Sequence, residues 1–321
     1  MLRVIKPEGF GNIQLEEVPI PEISRQQILV RTHATLISRG SELFARYIKQ
    51  EGVSPSIMGY SLTGVVERVG ADVTAYEGGE RVMVVAPHAE YAVGELSAEA
   101  KGMVVSLPDD IGFETGTFLP LATSAVAWAD SSGVTAGDTV VILGQGLVGS
   151  LMLQALRGHQ PETIITVDAL PLRCQLSKAL GADVVINTTE EDPVAAVRRL
   201  TAGKGADVVI DCVGGYAGVK SFEQAQEMVR PKGTLQLIAL YQQAPLPLHA
   251  SRIMNRRIVA GSLSDEPRAQ TALRALEKMR SGAIQTEKMI THCFPYTEAK
   301  AAFDLLWHSP GGALGVLLLW Q

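Results

Sequence analysis

The run from Thr139 to Gly149, TVVILGQGLVG, limits what this chain can fold into more than any other stretch. Its apolar residues Val140 to Leu143 end at a glycine, and two more glycines follow in the spacing Gly144-x-Gly146-x-x-Gly149. A short, continuous, β-branched run bounded by glycine reads as a strand buried on both faces. The residues Leu151, Leu153, Ala155 and Leu156 beyond it read as a helix. Each glycine then has its own reason to be there. Gly144 permits the tight turn, Gly146 lets a phosphate come close to the backbone, and Gly149 lets the helix lie on the sheet. The first N–H groups of that helix, on Leu147, Val148 and Gly149, offer unpaired donors and positive potential to an anion. Asp168 stands nineteen residues after Gly149, at the end of the next apolar run, where a carboxylate accepts hydrogen bonds from ribose hydroxyls. Strand, turn, helix and acid together predict a dinucleotide site. The charge on Asp168 opposes a 2′-phosphate and favours NAD(H); Arg173, five residues on, is the group that would serve NADP(H).

From Thr139 onward the pattern is regular. Apolar runs at Val140–Leu143, Ile164–Val167, Val184–Ile186, Val208–Ile210, Leu235–Ala239 and Ile258–Ala260 alternate with helical stretches. Six such runs predict a doubly wound parallel sheet. Gly181, in KALGA, fits the residue that ends a helix. The chain ahead of this array is different. Residues 1 to 117 alternate short β-branched runs with Pro and Gly punctuation, which predicts a small barrel or sandwich. One helix is expected over Gly40–Lys49, with Leu43, Tyr47 and Ile48 on one side, and another over Phe113–Asp130. After residue 262 come a helix over Pro267–Ser281 and a last strand over Leu314–Trp320. That tail is too short for a domain of its own and is expected to complete the first one. The expected division is therefore 1–117, 118–262 and 263–321, with an α/β fold.

Composition excludes several classes of function. The net charge is −6 and no basic block occurs, which argues against nucleic acid. No window approaches eighteen uninterrupted apolar residues, so no membrane span is expected. Three cysteines, Cys174, Cys212 and Cys293, are far apart, which fits neither a disulfide framework nor a four-cysteine metal lobe. A cytoplasmic setting is the expectation.

Several segments carry a resemblance that runs nearly end to end: GYSLTGVVERVGADV with GERV behind it, VTAGDTVVILGQGLVG, LGADVVIN, GADVVIDCVGG and ITHCFPYTEAKAAFDLL. They are similar to those of the medium-chain dehydrogenases/reductases, the zinc-type alcohol dehydrogenase-like superfamily. The resemblance implies a GroES-like β domain and a Rossmann domain. It also implies hydride transfer between NAD(P)H and an alcohol, carbonyl or activated alkene, a small-molecule substrate, and a homodimer formed near the sixth strand. Many members hold a catalytic zinc. Here the position of the first ligand, a Cys before a Gly-Thr-Asp-like tripeptide, is filled by Arg39 or Ser38, ahead of Gly40-Ser41-Glu42. The Gly-His-Glu of the second is Gly59-Tyr60-Ser61, and the third position offers Leu119, Thr123 or Ser124. None supplies a thiolate or imidazole, so neither a catalytic nor a structural zinc is expected. The Ala86–Ala98 stretch is too short for the family's cysteine-rich lobe. The six histidines show no ligand spacing and are expected at the surface or in the core.

Without a Lewis acid, a hydroxyl must stabilise the oxygen on which charge develops. Tyr60 is the foremost candidate, then Ser41 and Thr123; Ser41 has the alternative role of capping a helix. Arg39 is a candidate for the cofactor's pyrophosphate or for an anionic substrate. The resemblance places Val213 beside the adenosine, and Ala239, Leu240 and Ser262 towards the nicotinamide. Two other readings stay open: a quinone or enone reductase using NAD(P)H, and a dinucleotide-binding sensor without catalysis. A local likeness of ISRGSE and GYS to hydroxyethyl-bacteriochlorophyllide dehydrogenases adds a large ring substrate.

Overall fold

The computed structural model describes residues 1–96 and 103–321. The chain forms two compact units, one of Met1–Pro120, Arg268–Ser281 and Met289–Gln321, the other of Leu121–Pro267 and Gly282–Lys288.

The first unit opens with an antiparallel pair, β1 (Leu2–Ile5) and β2 (Gln14–Glu17). The long strand β3 (Gln27–Leu36) pairs with β4 (Leu62–Val69), which pairs with β5 (Arg81–Val84). Strand β6 (Tyr91–Glu95) also pairs with β3, and β7 (Val104–Ser106) with β5. Alternation along these strands buries Ile28, Val30, Leu62, Val66, Val82 and Val84 in one cluster. Part of the 86–98 stretch lies outside the described residues. Between β3 and β4 the expected helix forms, but as a π-helix over Arg39–Tyr47. Its Ile48 N–H reaches back five residues to the Leu43 carbonyl at 3.3 Å. The winding still turns Leu43 and Tyr47 into the core. The helix expected over 113–130 is interrupted: α1 (Phe113–Gly116) stops, and α2 (Leu119–Ser131) starts afresh around Pro120. Proline has no N–H and crowds the residue before it, so it suits the first turn of a helix and not its middle.

The second unit is the expected βα array. It runs β8 (Thr139–Leu143), α3 (Leu147–Leu156), β9 (Thr163–Asp168), α4 (Pro171–Ala179), β10 (Val184–Asn187), α5 (Pro193–Leu200), β11 (Ala206–Asp211), α6 (Gly218–Met228), β12 (Val229–Leu237), α7 (Ala250–Ile253) and β13 (Arg257–Ala260). All neighbours are parallel, in the order β10-β9-β8-β11-β12-β13. The order reverses between β8 and β11, and ligands of such sheets bind at the carboxyl ends of the strands there. The apolar runs are the buried middles of the strands: Val140 to Leu143 are at most 2% exposed. One face packs Val141, Ile165, Val209 and Leu235 on Phe222 and Ala225 of α6. Strand β12 begins six residues before the Leu235 run, because its first half is irregular; the register slips near Ala206 and Lys232 takes a positive φ of 64°. Gly181, with φ 102°, follows the end of α4 as expected of its type.

The last segment rejoins the first unit. It comprises α8 (Arg268–Arg280), β14 (Ile290–Pro295), α9 (Ala299–His308) and β15 (Gly315–Leu319). Strand β15 pairs with β3, giving the order β14-β15-β3-β4-β5-β7 among the described residues. Helix α9 packs Ala302, Phe303 and Leu306 with Val4, Leu43 and Tyr47. Among the described residues no helix is long and apolar enough to cross a membrane.

Candidate active site

The glycine turn joins β8 to α3 at the switch point of the sheet. Gly144 has φ 83°, and a Cβ there would lie 2.7 Å from Val213 Cγ2. A Cβ on Gly149 would sit 1.8 Å from the Gly144 carbonyl oxygen, so helix and turn touch backbone to backbone. Around Gly146 there is room: a Cβ would meet only Arg173 Nη1, at 3.9 Å. The open space thus lies where a pyrophosphate needs to approach, and α3 begins there with Gly146 as its N-cap.

Asp168 ends β9 beside this turn. Its Oδ2 accepts the Gln145 N–H at 2.7 Å, and its Oδ1 accepts the Ala169 and Leu170 N–H groups at 2.8 and 2.9 Å. The carboxylate therefore orders its own turn and does not cap α4, whose N-cap is Leu170 ahead of Pro171. Oδ1 is filled by its two donors, while Oδ2 keeps a lone pair for a ribose hydroxyl. Arg173 brings Nη1 to 3.8 Å from Asp168 Oδ2, and its buried Nε has no partner. Acid and cation thus face the same space.

The loop after β11 flanks the turn. Asp211 is buried at the end of β11; its Oδ1 accepts the Ser221 hydroxyl at 2.8 Å and the Val213 N–H at 3.1 Å, while Oδ2 has no partner. Burial pushes its carboxyl up to about 6, against those two hydrogen bonds. Gln242 Nε2 donates to the Val213 carbonyl at 3.1 Å and so ties this loop to the one after β12. There Ala239 is half-buried and Leu240 is 74% exposed. The Ser262 hydroxyl donates to the Ala127 carbonyl of α2 at 3.3 Å. Burial raises the Cys212 thiol well above its ordinary value, which removes it as a nucleophile.

Of the residues singled out from the resemblance, Arg39, Ser41 and Tyr60 lie in the first unit and Thr123 in the second. Arg39 donates from Nε to the Leu306 carbonyl at 3.3 Å, with its guanidinium 5.2 Å from the Phe44 ring centre. Ser41 donates its hydroxyl to Ser38 Oγ at 2.9 Å. Tyr60 is half-buried just before β4. Thr123 is buried in α2. Among the described residues no three His, Cys, Asp or Glu side chains converge. A zinc site is built from three such donors and an open position.

Two features escaped sequence reasoning. Arg268, at the start of α8, donates Nη2 to the Pro120 carbonyl at 3.2 Å; desolvation lowers its pKa, and the nearby Tyr60 oxygen opposes that shift. Nothing in the sequence links positions 60 and 268. The second is a fully buried pair, Glu42 with His88, at 2.7 Å. The acid stood in the motif, but its partner comes from a loop 46 residues away.

Comparison with known proteins agrees with this architecture. Residues 24–129 match the family model described as the alcohol dehydrogenase GroES-like domain, and residues 148–278 match that of the zinc-binding dehydrogenases. An alcohol dehydrogenase of Cupriavidus necator is 25% identical, with 96% of both chains covered. A sorbitol dehydrogenase of Bacillus subtilis is 24% identical over 91% of this chain and 90% of its own. The solved structure of an alcohol dehydrogenase from Thermus sp. ATN1 superimposes with a TM-score of 0.84 at 25% identity, covering 99% of each chain. With a GroES-like sheet, a parallel dinucleotide-type sheet and relatives that are dehydrogenases along their whole length, the chain belongs to the zinc-type alcohol dehydrogenase-like branch of the medium-chain dehydrogenases/reductases.

Proposed function

We propose that this enzyme transfers hydride between NAD(H) and an alcohol or carbonyl substrate without zinc. The observation that carries the reading is the glycine turn, open at Gly146 and edged by the Asp168 carboxylate. A carboxylate beside the ribose accepts hydroxyls and repels a 2′-phosphate, which favours NAD(H). When bound, the nicotinamide supplies or takes up the hydride. The chain's own groups do the rest. The α3 N-terminus and the turn bind the pyrophosphate, and Val213, held on Asp211, borders the adenosine side. Tyr60 donates a hydrogen bond to the oxygen on which charge develops and then its proton. Arg268 lends positive charge beside that phenol. The proposal includes a cytoplasmic setting, in line with three free cysteines, and a homodimer joined along the exposed edge strand β13, where Ile258 is 37% exposed.

Calorimetry with NADH and NADPH, followed by turnover on a panel of alcohols, polyols, aldehydes and ketones, tests it. NADH should bind more tightly, and a carbonyl or alcohol should turn over. Tighter NADPH binding would refute the role of Asp168. Turnover confined to quinones and enones would move the enzyme to that branch, and NADH binding with no turnover at all would make it a sensor.

A further inference from the structure

Glu42 and His88 form a buried acid–imidazole pair that hydride transfer does not use. Neither side chain has any exposed surface, and His88 Nε2 lies 2.7 Å from Glu42 Oε2. The other oxygen, Oε1, accepts the Ser38 N–H at 2.8 Å, and Ser38 Oγ in turn accepts the Ser41 hydroxyl at 2.9 Å. The histidine is fixed from behind as well. Its main-chain N–H donates to the Met58 carbonyl at 2.7 Å, and its main-chain carbonyl accepts the Val4 N–H at 2.9 Å. Its ring lies flush on Gly59, where φ is 103° and a Cβ would come within 2.9 Å of ring carbons. The edge of the pair is closed by Phe303, at 6.1 Å between ring centres.

The imidazole's tautomer follows from the contacts. His88 Nδ1 is buried without a partner. A proton on Nε2 gives Glu42 its donor and leaves only a bare lone pair at Nδ1. The opposite tautomer would bury an unpaired N–H and set two lone pairs against each other. A buried polar pair with an unpaired acceptor is a poor source of stability compared with an apolar pair of the same size. Its position suggests another purpose. Glu42 grips the Ser38–Ser41 turn, and His88 grips Met58-Gly59, the two residues immediately before Tyr60.

We infer that Glu42 and His88 are positioning residues, a hydrogen-bonded clamp that holds Tyr60 and Ser41 in one frame. The inference rests on the reading of Tyr60 as the donor to substrate oxygen, and its test separates the two. Full-length enzyme carrying 3-fluorotyrosine in place of Tyr60 reports that ring by fluorine NMR, with 3-fluorotyrosine in place of Tyr76 as the control. In His88→Phe the Tyr60 signal should shift and broaden while the Tyr76 signal stays. The kcat on the best carbonyl of the panel should fall on the order of 10- to 100-fold, as misplaced groups do, with unchanged NADH affinity. His88→Gln, which keeps an N–H for Glu42, should restore both. A Tyr60 signal unmoved in folded His88→Phe overturns the clamp; if that variant does not fold, Glu42→Gln is read by the same criterion. If the Tyr60 signal follows His88 but Tyr60→Phe turns over normally, the clamp stands and the donor role of Tyr60 falls.

Discussion

Asp211 shows how a single side chain can carry both a cost and a use. Its carboxyl titrates at about 6 in the folded chain, against an ordinary 3.8, chiefly because burial disfavours the charge. Between those two values the folded state holds a proton that the unfolded state has lost. Stability therefore falls as pH rises through that window, by about 3 kcal/mol for a shift of roughly two units. Asp211→Asn keeps the acceptor for Ser221 and Val213 and has no charge to bury. Melting temperature measured from pH 4 to pH 7 should show wild type losing ground to Asp211→Asn; parallel curves would mean that the charge is compensated. At the glycine turn the constraint is steric. Gly149→Ala would place a methyl 1.8 Å from the Gly144 oxygen. Overpacking of this kind costs about 1–3 kcal/mol. Calorimetry should also find weakened NADH binding, since turn and helix must separate. Asp168→Ala should narrow the gap between NADH and NADPH affinities, because it removes the repulsion and leaves Arg173 beside the same space.

Among the elements, regular ones were legible and irregular ones were not. Runs such as Val140–Leu143 and Val208–Ile210 are buried on both faces, so their apolar continuity is imposed by the sheet and visible in the sequence. The π-wound turn over Arg39–Tyr47 keeps the apolar spacing of an ordinary helix, so its winding left no trace. The first half of β12 was hidden behind Arg230-Pro231-Lys232-Gly233, which reads as a loop. The same division holds at the site. The grouping of Gly144, Gly146, Gly149 and Asp168 around one turn was legible because all four belong to one local βαβ segment. Glu42–His88 and Tyr60–Arg268 are meetings between distant segments and depend on the fold. Lys6 is another such meeting. Its buried ammonium donates to the carbonyls of Pro7 at 3.0 Å, Lys49 at 2.5 Å and Glu51 at 3.1 Å, tying β1 to the exit of the π-helix. Lys6→Met would leave those carbonyls unpaired, at a cost of roughly 1–3 kcal/mol in urea unfolding; an unchanged midpoint would show that water takes the place of the ammonium.

For the whole molecule, the family fixes the cofactor class and leaves the electrophile open. Three ligand positions are filled by Arg39 or Ser38, by Tyr60, and by Leu119, Thr123 or Ser124, and the buried acid next to them is already spent on His88. The proposed mechanism therefore stabilises charge on oxygen with hydroxyl donors, since a zinc site takes donors of a kind that these positions do not carry. Metal content measured alongside turnover, on enzyme purified without chelator and again after chelation, tests that claim most directly. The expected result is less than one zinc per chain and equal turnover in both preparations; a stoichiometric zinc whose removal abolishes turnover and whose return restores it would contradict a zinc-free mechanism.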